Sequence, residues 1–146
     1  MIINQVKIYH DLQNQHITKD NFFTIIKIAK SKGNLKKFQT YFNSHYDGNK
    51  VKHLTRLNNC YLQLIDCYLP WQQKNLIDNK LIENVYQDLK SGSVDIFILV
   101  VGDKDYLQLI KYLQSIGKEV IIFYTNAINP KLLDLGICYN LNLYSM

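Results

Sequence analysis

Two segments place carboxylates directly after apolar, strand-like runs. Residues 5–10 (QVKIYH) lead into His10-Asp11-Leu12-Gln13-Asn14, and residues 95–101 (DIFILVV) lead into Gly102-Asp103-Lys104-Asp105-Tyr106. Ligands of an open α/β sheet bind beyond the carboxyl ends of its strands, so acids at these positions can do chemistry. If the two strands are neighbours, Asp11 and Asp103 emerge at one edge. Gathered carboxylates repel each other, and a divalent cation relieves the repulsion. A helix over about Leu76 to Lys90 has an inward stripe of Leu81, Ile82, Val85 and Leu89, and Asp78 projects from the same face. A carboxylate on the buried side of a first turn needs a partner. The helix N-terminus and a metal shared with Asp11 and Asp103 both meet that need. Capping of the next helix is the alternative role for Asp103 or Asp105.

The elements that position these acids alternate along the chain. After the first strand, Thr18 is a plausible N-cap for a helix through about Lys32, with Phe22, Ile25, Ile26 and Ala29 at helical spacing and Gly33 as its stop. Residues 35–42 read as a strand with Phe38, Thr40 and Phe42 on one face, and Asp47-Gly48-Asn49 reads as a loop. Cys60 to Tyr68 fits a third strand, although its pattern also suits a helix. Pro70 interrupts the chain before the helix that carries Asp78. Asp95 to Val101, apolar on both faces, suits a central parallel strand. A helix from Tyr106 to Ser115, a strand from Glu119 to Tyr124, a short helix at 130–137 opened by Pro130, and a final strand from Leu141 to Tyr144 complete the order. This alternation implies a three-layer α/β/α sandwich with a mostly parallel central sheet, and 146 residues suit a single domain, 1–146.

Composition narrows the classes further. Hydrophobic residues make up 47% and charged residues 20%, with 2 Pro and 6 Gly, so the chain can build a packed core. The formal net charge is +5, and all basic residues except Arg56 are Lys. Lysines attract polyanions as mobile point charges without the planar fork of Arg. The Lys, Asn, Ile and Tyr bias is also what an AT-rich genome produces. Cys60, Cys67 and Cys138 form no C-x-x-C pair, which suits reduced core thiols in an intracellular setting, cytoplasmic or organellar. The four histidines do not fall at zinc-ligand spacing with a Cys pair. The N-terminus lacks the apolar stretch of a signal peptide, and the longest apolar run is far shorter than a membrane span. Residues 19–52 hold eight Lys against Asp20 and Asp47, with Tyr41, Phe42 and Tyr46 interleaved. The pattern suits either stacking on unpaired bases or a solvated helix face over core aromatics. Trp71 suits a surface platform or a core plug equally.

The ordered motifs resemble the NYN domain of the PIN-like nuclease superfamily, over about residues 5 to 144. Asp11 closes the first strand, with Asn14 three positions on. Lys74-Asn75-Leu76-Ile77-Asp78-Asn79-Lys80-Leu81 is similar to the family's K-x-x-x-D-x-x-L. Val101-Gly102-Asp103-Lys104-Asp105-Tyr106, followed by Gly117-Lys118-Glu119-Val120, is similar to S-G-D-x-D-F and G-K-x-V. Val101 stands where the family has Ser, and Asn84 stands where many relatives carry a second helix acid.

The resemblance implies a PIN-like, Rossmannoid fold and metal-dependent hydrolysis of RNA phosphodiester bonds, with Asp11, Asp78 and Asp103 holding Mg²⁺ or Mn²⁺. The ions would activate a water and stabilise the leaving 3′ oxygen. Asp105 would be an outer ligand, and Asn14 would orient Asp11 or touch the phosphate. Lys36, Lys37, Lys50, Lys52 and Lys104 would bring in single-stranded or structured RNA, alone or with a protein partner or a second copy. The competing expectation is a degenerate domain that binds RNA, or sits in a ribonucleoprotein, without cutting it. Val101 and Asn84 favour that alternative.

Overall fold

Strands and helices alternate throughout the computed structural model, which describes residues 2–71 and 77–143. In chain order these are β1 (Gln5–Asp11), α1 (Lys19–Lys32), β2 (Asn34–Phe42), α2 (Ser44–Thr55), β3 (Leu62–Asp66) and α3 (Ile77–Ser91), then β4 (Ile96–Val100), α4 (Leu107–Ser115), β5 (Glu119–Tyr124), α5 (Pro130–Leu133) and β6 (Cys138–Asn140). The sheet has six strands in the order β3-β2-β1-β4-β5-β6, and every neighbouring pair is parallel. Helices cover both faces. Phe22, Ile25 and Leu54 from α1 and α2 pack on Val6, Ile8 and Phe38. Leu81, Val85, Leu109, Ile110 and Leu132 from α3, α4 and α5 pack on Tyr9, Phe97 and Leu99. The expected α/β/α sandwich is therefore what the chain forms.

The strand order turns back once. From β1 the chain steps outward through β2 to β3, then crosses to the other side of β1 to lay down β4. The reversal falls between β1 and β4, where an open α/β sheet splays its loops apart and leaves a crevice. Helix α3 makes the crossing, and Asp88 locks it to β1. One oxygen of Asp88 accepts the Tyr9 hydroxyl at 2.7 Å and the Lys7 ammonium at 2.5 Å.

Local signals explain most boundaries. Thr18 and Asn21 form a reciprocal capping box at the start of α1. Residues 47–49, expected as a loop, lie inside α2. The Asn43 side chain caps that helix by accepting the His45 amide at 2.9 Å, and the buried Asp47 carboxylate accepts the Asn43 amide at 2.9 Å. A capped first turn outweighs the cost of Gly48, about 1 kcal/mol for glycine in a helix. The final strand is Cys138–Asn140 rather than residues from 141 on, and Leu141–Leu143 form a 3₁₀ turn. Asn140 ends the strand by accepting the Asn142 amide at 3.0 Å. Helix α5 stops at Leu133, because Gly136 takes φ 73 and turns the chain toward β6. β2 buries both faces, Gln39 and Tyr41 as well as Phe38, Thr40 and Phe42, because helices cover it on either side. Cys60, expected in the core, is exposed. Trp71 is 76% exposed, and no described helix is long and apolar enough to cross a membrane. Lys74, Asn75 and Leu76 of the helix-start motif, and Tyr144, lie outside the described residues.

His10 holds the turn after β1 in place. It is fully buried, with Nδ1 at 3.0 Å from the Thr40 hydroxyl and Nε2 at 2.6 Å from the Gln15 carbonyl. A carbonyl can only accept, so Nε2 carries the proton and Nδ1 accepts from Thr40. Burial lowers the imidazole pKa from its ordinary 6.5 to about 4. Between those values the unfolded chain binds a proton that the folded chain refuses, so stability falls as the pH drops through that window. Urea unfolding should show about 2 kcal/mol less stability near pH 5 than near pH 7 from this group. The loss should be absent from the difference between pH values in His10→Gln; an equal loss in that variant would refute the assignment.

Candidate active site

Asp11 is the last residue of β1, and the register pairs His10 with Val100 of β4. Asp103 lies three residues beyond the end of β4, so both acids sit at the reversal point. Asp78 arrives on the first turn of α3, brought there by the core contacts of Ile77, Leu81 and Val85. Asp11, Gln13, Asn14, Ile77, Asp78, Asp103 and Asp105 line one pocket of about 250 Å³. The five residues singled out as catalytic in the sequence thus come together, although they derive from three distant segments. Lys104 stands exposed between Asp103 and Asp105.

Hydrogen bonds fix all three central carboxylates, and in Asp11 both oxygens accept, Oδ1 taking the Asn14 amide at 3.4 Å. Asp11 Oδ2 accepts from the Tyr106 hydroxyl at 2.9 Å and from Asn14 Nδ2 at 2.9 Å. Asp103 Oδ1 accepts the Asp105 amide at 3.1 Å, capping the 3₁₀ turn Lys104–Tyr106. Asp78 Oδ1 accepts the Asn79 amide at 2.9 Å. Asp103 therefore fills the capping role weighed for it and lines the pocket as well.

Asp11 is 1% exposed. Burial raises its pKa above the ordinary value; the Tyr106 and Asn14 hydrogen bonds oppose the rise, and the charge of Asp78 adds to it. The Tyr106 hydroxyl is raised in turn, first by burial and then by Asp11, with further contributions from Asp78 and Asp103.

The surrounding loops are stitched together by groups that strand ends alone did not reveal. Gln15 is fully buried: its Oε1 accepts the amides of Thr125 at 2.8 Å and Asn126 at 3.0 Å, and its Nε2 donates to the Ala127 carbonyl at 2.9 Å. A Cβ on Gly102 would stand 2.3 Å from Gln15 Nε2 and 2.4 Å from the Ala127 carbonyl oxygen, so the loops after β1, β4 and β5 can meet only over glycine. Tyr106 is both packed and bonded to Asp11. Its hydroxyl is the one atom that the family's Phe would lack.

Other expected groups stand elsewhere. Asn84 donates to the Tyr41 hydroxyl at 2.7 Å and does not line the pocket. Val101 is fully buried. Tyr41 and Phe42 are buried too and offer no stacking surface, whereas Tyr46 is 63% exposed. Lys36 donates to the Ser93 carbonyl, and Lys37 pairs in register with Lys7, so both lie toward the amino ends of the strands, away from the acids. Lys52 is exposed on α2, and Lys50 pairs with Asp47 at 3.6 Å. Tyr106→Phe should cost about 2 kcal/mol in urea unfolding near pH 7, since a hydrogen bond to a charged group contributes about 1.5–3 kcal/mol. The cost should shrink as acidification protonates Asp11. A pH-independent loss would mean that only packing changed.

Comparison with known proteins agrees with this architecture. The solved structure of a protein of unknown function from Vibrio parahaemolyticus superposes with a TM-score of 0.68 at 17% identity, covering 94% of this chain and 91% of that one. At that identity the likeness concerns the fold alone. No curated protein matches the sequence. The profile of the NYN domain matches residues 5–135, nearly the whole chain, and the chain therefore belongs to the NYN domain family.

Proposed function

We propose that this chain is a metal-dependent endoribonuclease whose scissile phosphate lies over the pocket of Asp11, Asp78, Asp103 and Asp105. The observation that carries this reading is the gathering of four carboxylates from three distant segments at the sheet's reversal point, with no basic side chain among the residues that line the pocket. The donor set is all oxygen, the chemistry that suits Mg²⁺ or Mn²⁺. Among the described residues no three acidic, imidazole or thiol groups already converge on one ion position.

Asp11, Asp78 and Asp103 would hold the cation, with Asp11 already fixed at both oxygens and Asp78 and Asp103 at one each. When bound, it supplies Lewis-acid polarisation of the phosphate and a water of lowered pKa. The chain's own groups do the positioning. Tyr106 and Asn14 fix the Asp11 carboxylate, and Asp105 holds a place at the pocket wall for a bound water. Lys104 stands exposed at the rim, within the reach of a phosphate oxygen. Attack of water on phosphorus breaks the bond to the 3′ oxygen, which leaves as a hydroxyl, with the phosphate kept on the 5′ side.

A domain that binds RNA without cutting it is the second reading. It draws on the buried Val101, which offers no hydroxyl, and on the spacing of the acids. Incubation of labelled single-stranded and hairpin RNA with Mg²⁺, Mn²⁺ or EDTA separates the two. The nuclease reading expects cleavage with either metal, none with EDTA, and a rate at least about 100-fold lower in Asp103→Asn. RNA that is bound but intact under every condition would leave the second reading standing.

A further inference from the structure

The largest described cavity is not the acidic one. A pocket of about 460 Å³ opens on the other side of the β1–α1 loop, between that loop and α2. The two pockets share a wall. Along one short stretch, Asp11, Gln13 and Asn14 line the acidic pocket, while Leu12, His16 and Ile17 line the larger one. Their chemistry is opposite. The larger pocket has a floor of Leu12, Ile17, Leu54 and Leu57 and a rim of His16, Lys19, Lys50 and His53, with no acid among its lining residues.

The rim is cationic in a concerted way. Lys19 and Lys50 carry that charge; burial and the Lys50 charge lower the pKa of His16, which leaves its imidazole neutral near pH 7 and places it within electrostatic reach of Lys50. Lys19 opens α1, adjacent to the Thr18 cap, where the helix dipole adds partial positive charge. Asp47 offsets Lys50 in part at 3.6 Å, but its carboxylate is buried and also accepts the Asn43 amide. An apolar floor beneath two lysines and two imidazoles suits a ligand with a flat, weakly polar body and an anionic tail. The volume falls in the usual range for small-molecule sites, about 300–1,000 Å³.

We propose that this second pocket is a nucleotide subsite, in which the leucine and isoleucine floor takes one base of an RNA strand and the lysine and histidine rim takes its phosphate. The assignment rests on the reading of the neighbouring pocket as the place of cleavage, since one strand would cross the shared loop. It also explains how a polyanion approaches four carboxylates. Cations one nucleotide away hold the strand by its phosphate, and the acids face the bond to be cut.

Adenosine 5′-monophosphate, adenosine and inorganic phosphate are suitable probes, titrated against the full chain in EDTA and followed by amide and histidine NMR signals. EDTA takes the metal out of the measurement. The nucleotide should shift the signals of Leu12, His16, Ile17 and His53 and bind at least about tenfold more tightly than either fragment, because both halves of the pocket are then filled. His53→Gln and Lys50→Gln should each weaken it several-fold. His53 is exposed, so its variant tests the rim with little effect on the fold. Nucleotide binding here with no RNA cleavage under any condition would sink the nuclease reading and leave the subsite standing. RNA cleavage without nucleotide shifts around His16 and His53 would overturn the subsite alone. Inorganic phosphate binding as tightly as the nucleotide would reduce the pocket to an anion site and overturn it too.

Discussion

Everything at this edge of the sheet follows from burying one carboxylate. Asp11 ends the strand that stands between β2 and β4 and is 1% exposed. A buried carboxylate without compensation is among the most costly groups a protein can hold. Here three hydrogen bonds, one from Tyr106 and two from Asn14, offset part of the cost, and the nearby Asp78 adds to it. On the proposed reading, keeping a destabilised acid beside further acids prepares the site for positive charge. Local destabilisation of that kind is common where function, rather than stability, sets the residue.

The rest of the fold reads as support for that point. The strand order reverses beside Asp11, which opens the crevice, and α3 crosses there because Asp88 ties it to Lys7 and Tyr9. Three loops that would otherwise splay are joined through Gln15, seated over Gly102 and anchored from below by His10. Acids on strand ends and helix starts, with the loops between them cross-linked, satisfy the need for a rigid frame around reactive groups. The same β1–α1 loop then serves as the wall between a negative pocket and a positive one. On the proposed reading the positive side would hold the backbone of a nucleic-acid strand and the acids would recruit the metal at the bond.

Much of this was legible in the sequence, for a physical reason. Strand-like apolar runs alternating with helical periods imply a covered parallel sheet, and acids that directly follow such strands lie at its carboxyl edge, so Asp11 and Asp103 could be located before their distance was known. Asp78 was legible because helical spacing put it on the buried stripe. What escaped notice depended on contacts between distant segments. Tyr106 sits at a position that periodicity assigns to packing, and its hydroxyl matters only because Asp11 lies 95 residues earlier in the chain. Asp47-Gly48-Asn49 carried a turn composition, but a capped helix start overruled it. Lys36 and Lys37 belonged to a lysine-rich stretch whose strand runs the length of the sheet, so charge count alone could not say which edge they served. His16 and His53 lie 37 residues apart and share a rim only because α2 packs beside the loop after β1.

Diffraction from crystals soaked in Mn²⁺, read at the manganese absorption edge, addresses the central claim without any substrate. The account predicts an anomalous peak inside the pocket, with Asp11, Asp78 and Asp103 drawn in as oxygen ligands and waters completing the shell. A pocket that stays free of manganese at saturating concentration, with Asp103 still capping the Asp105 amide and the acids unmoved, would contradict it.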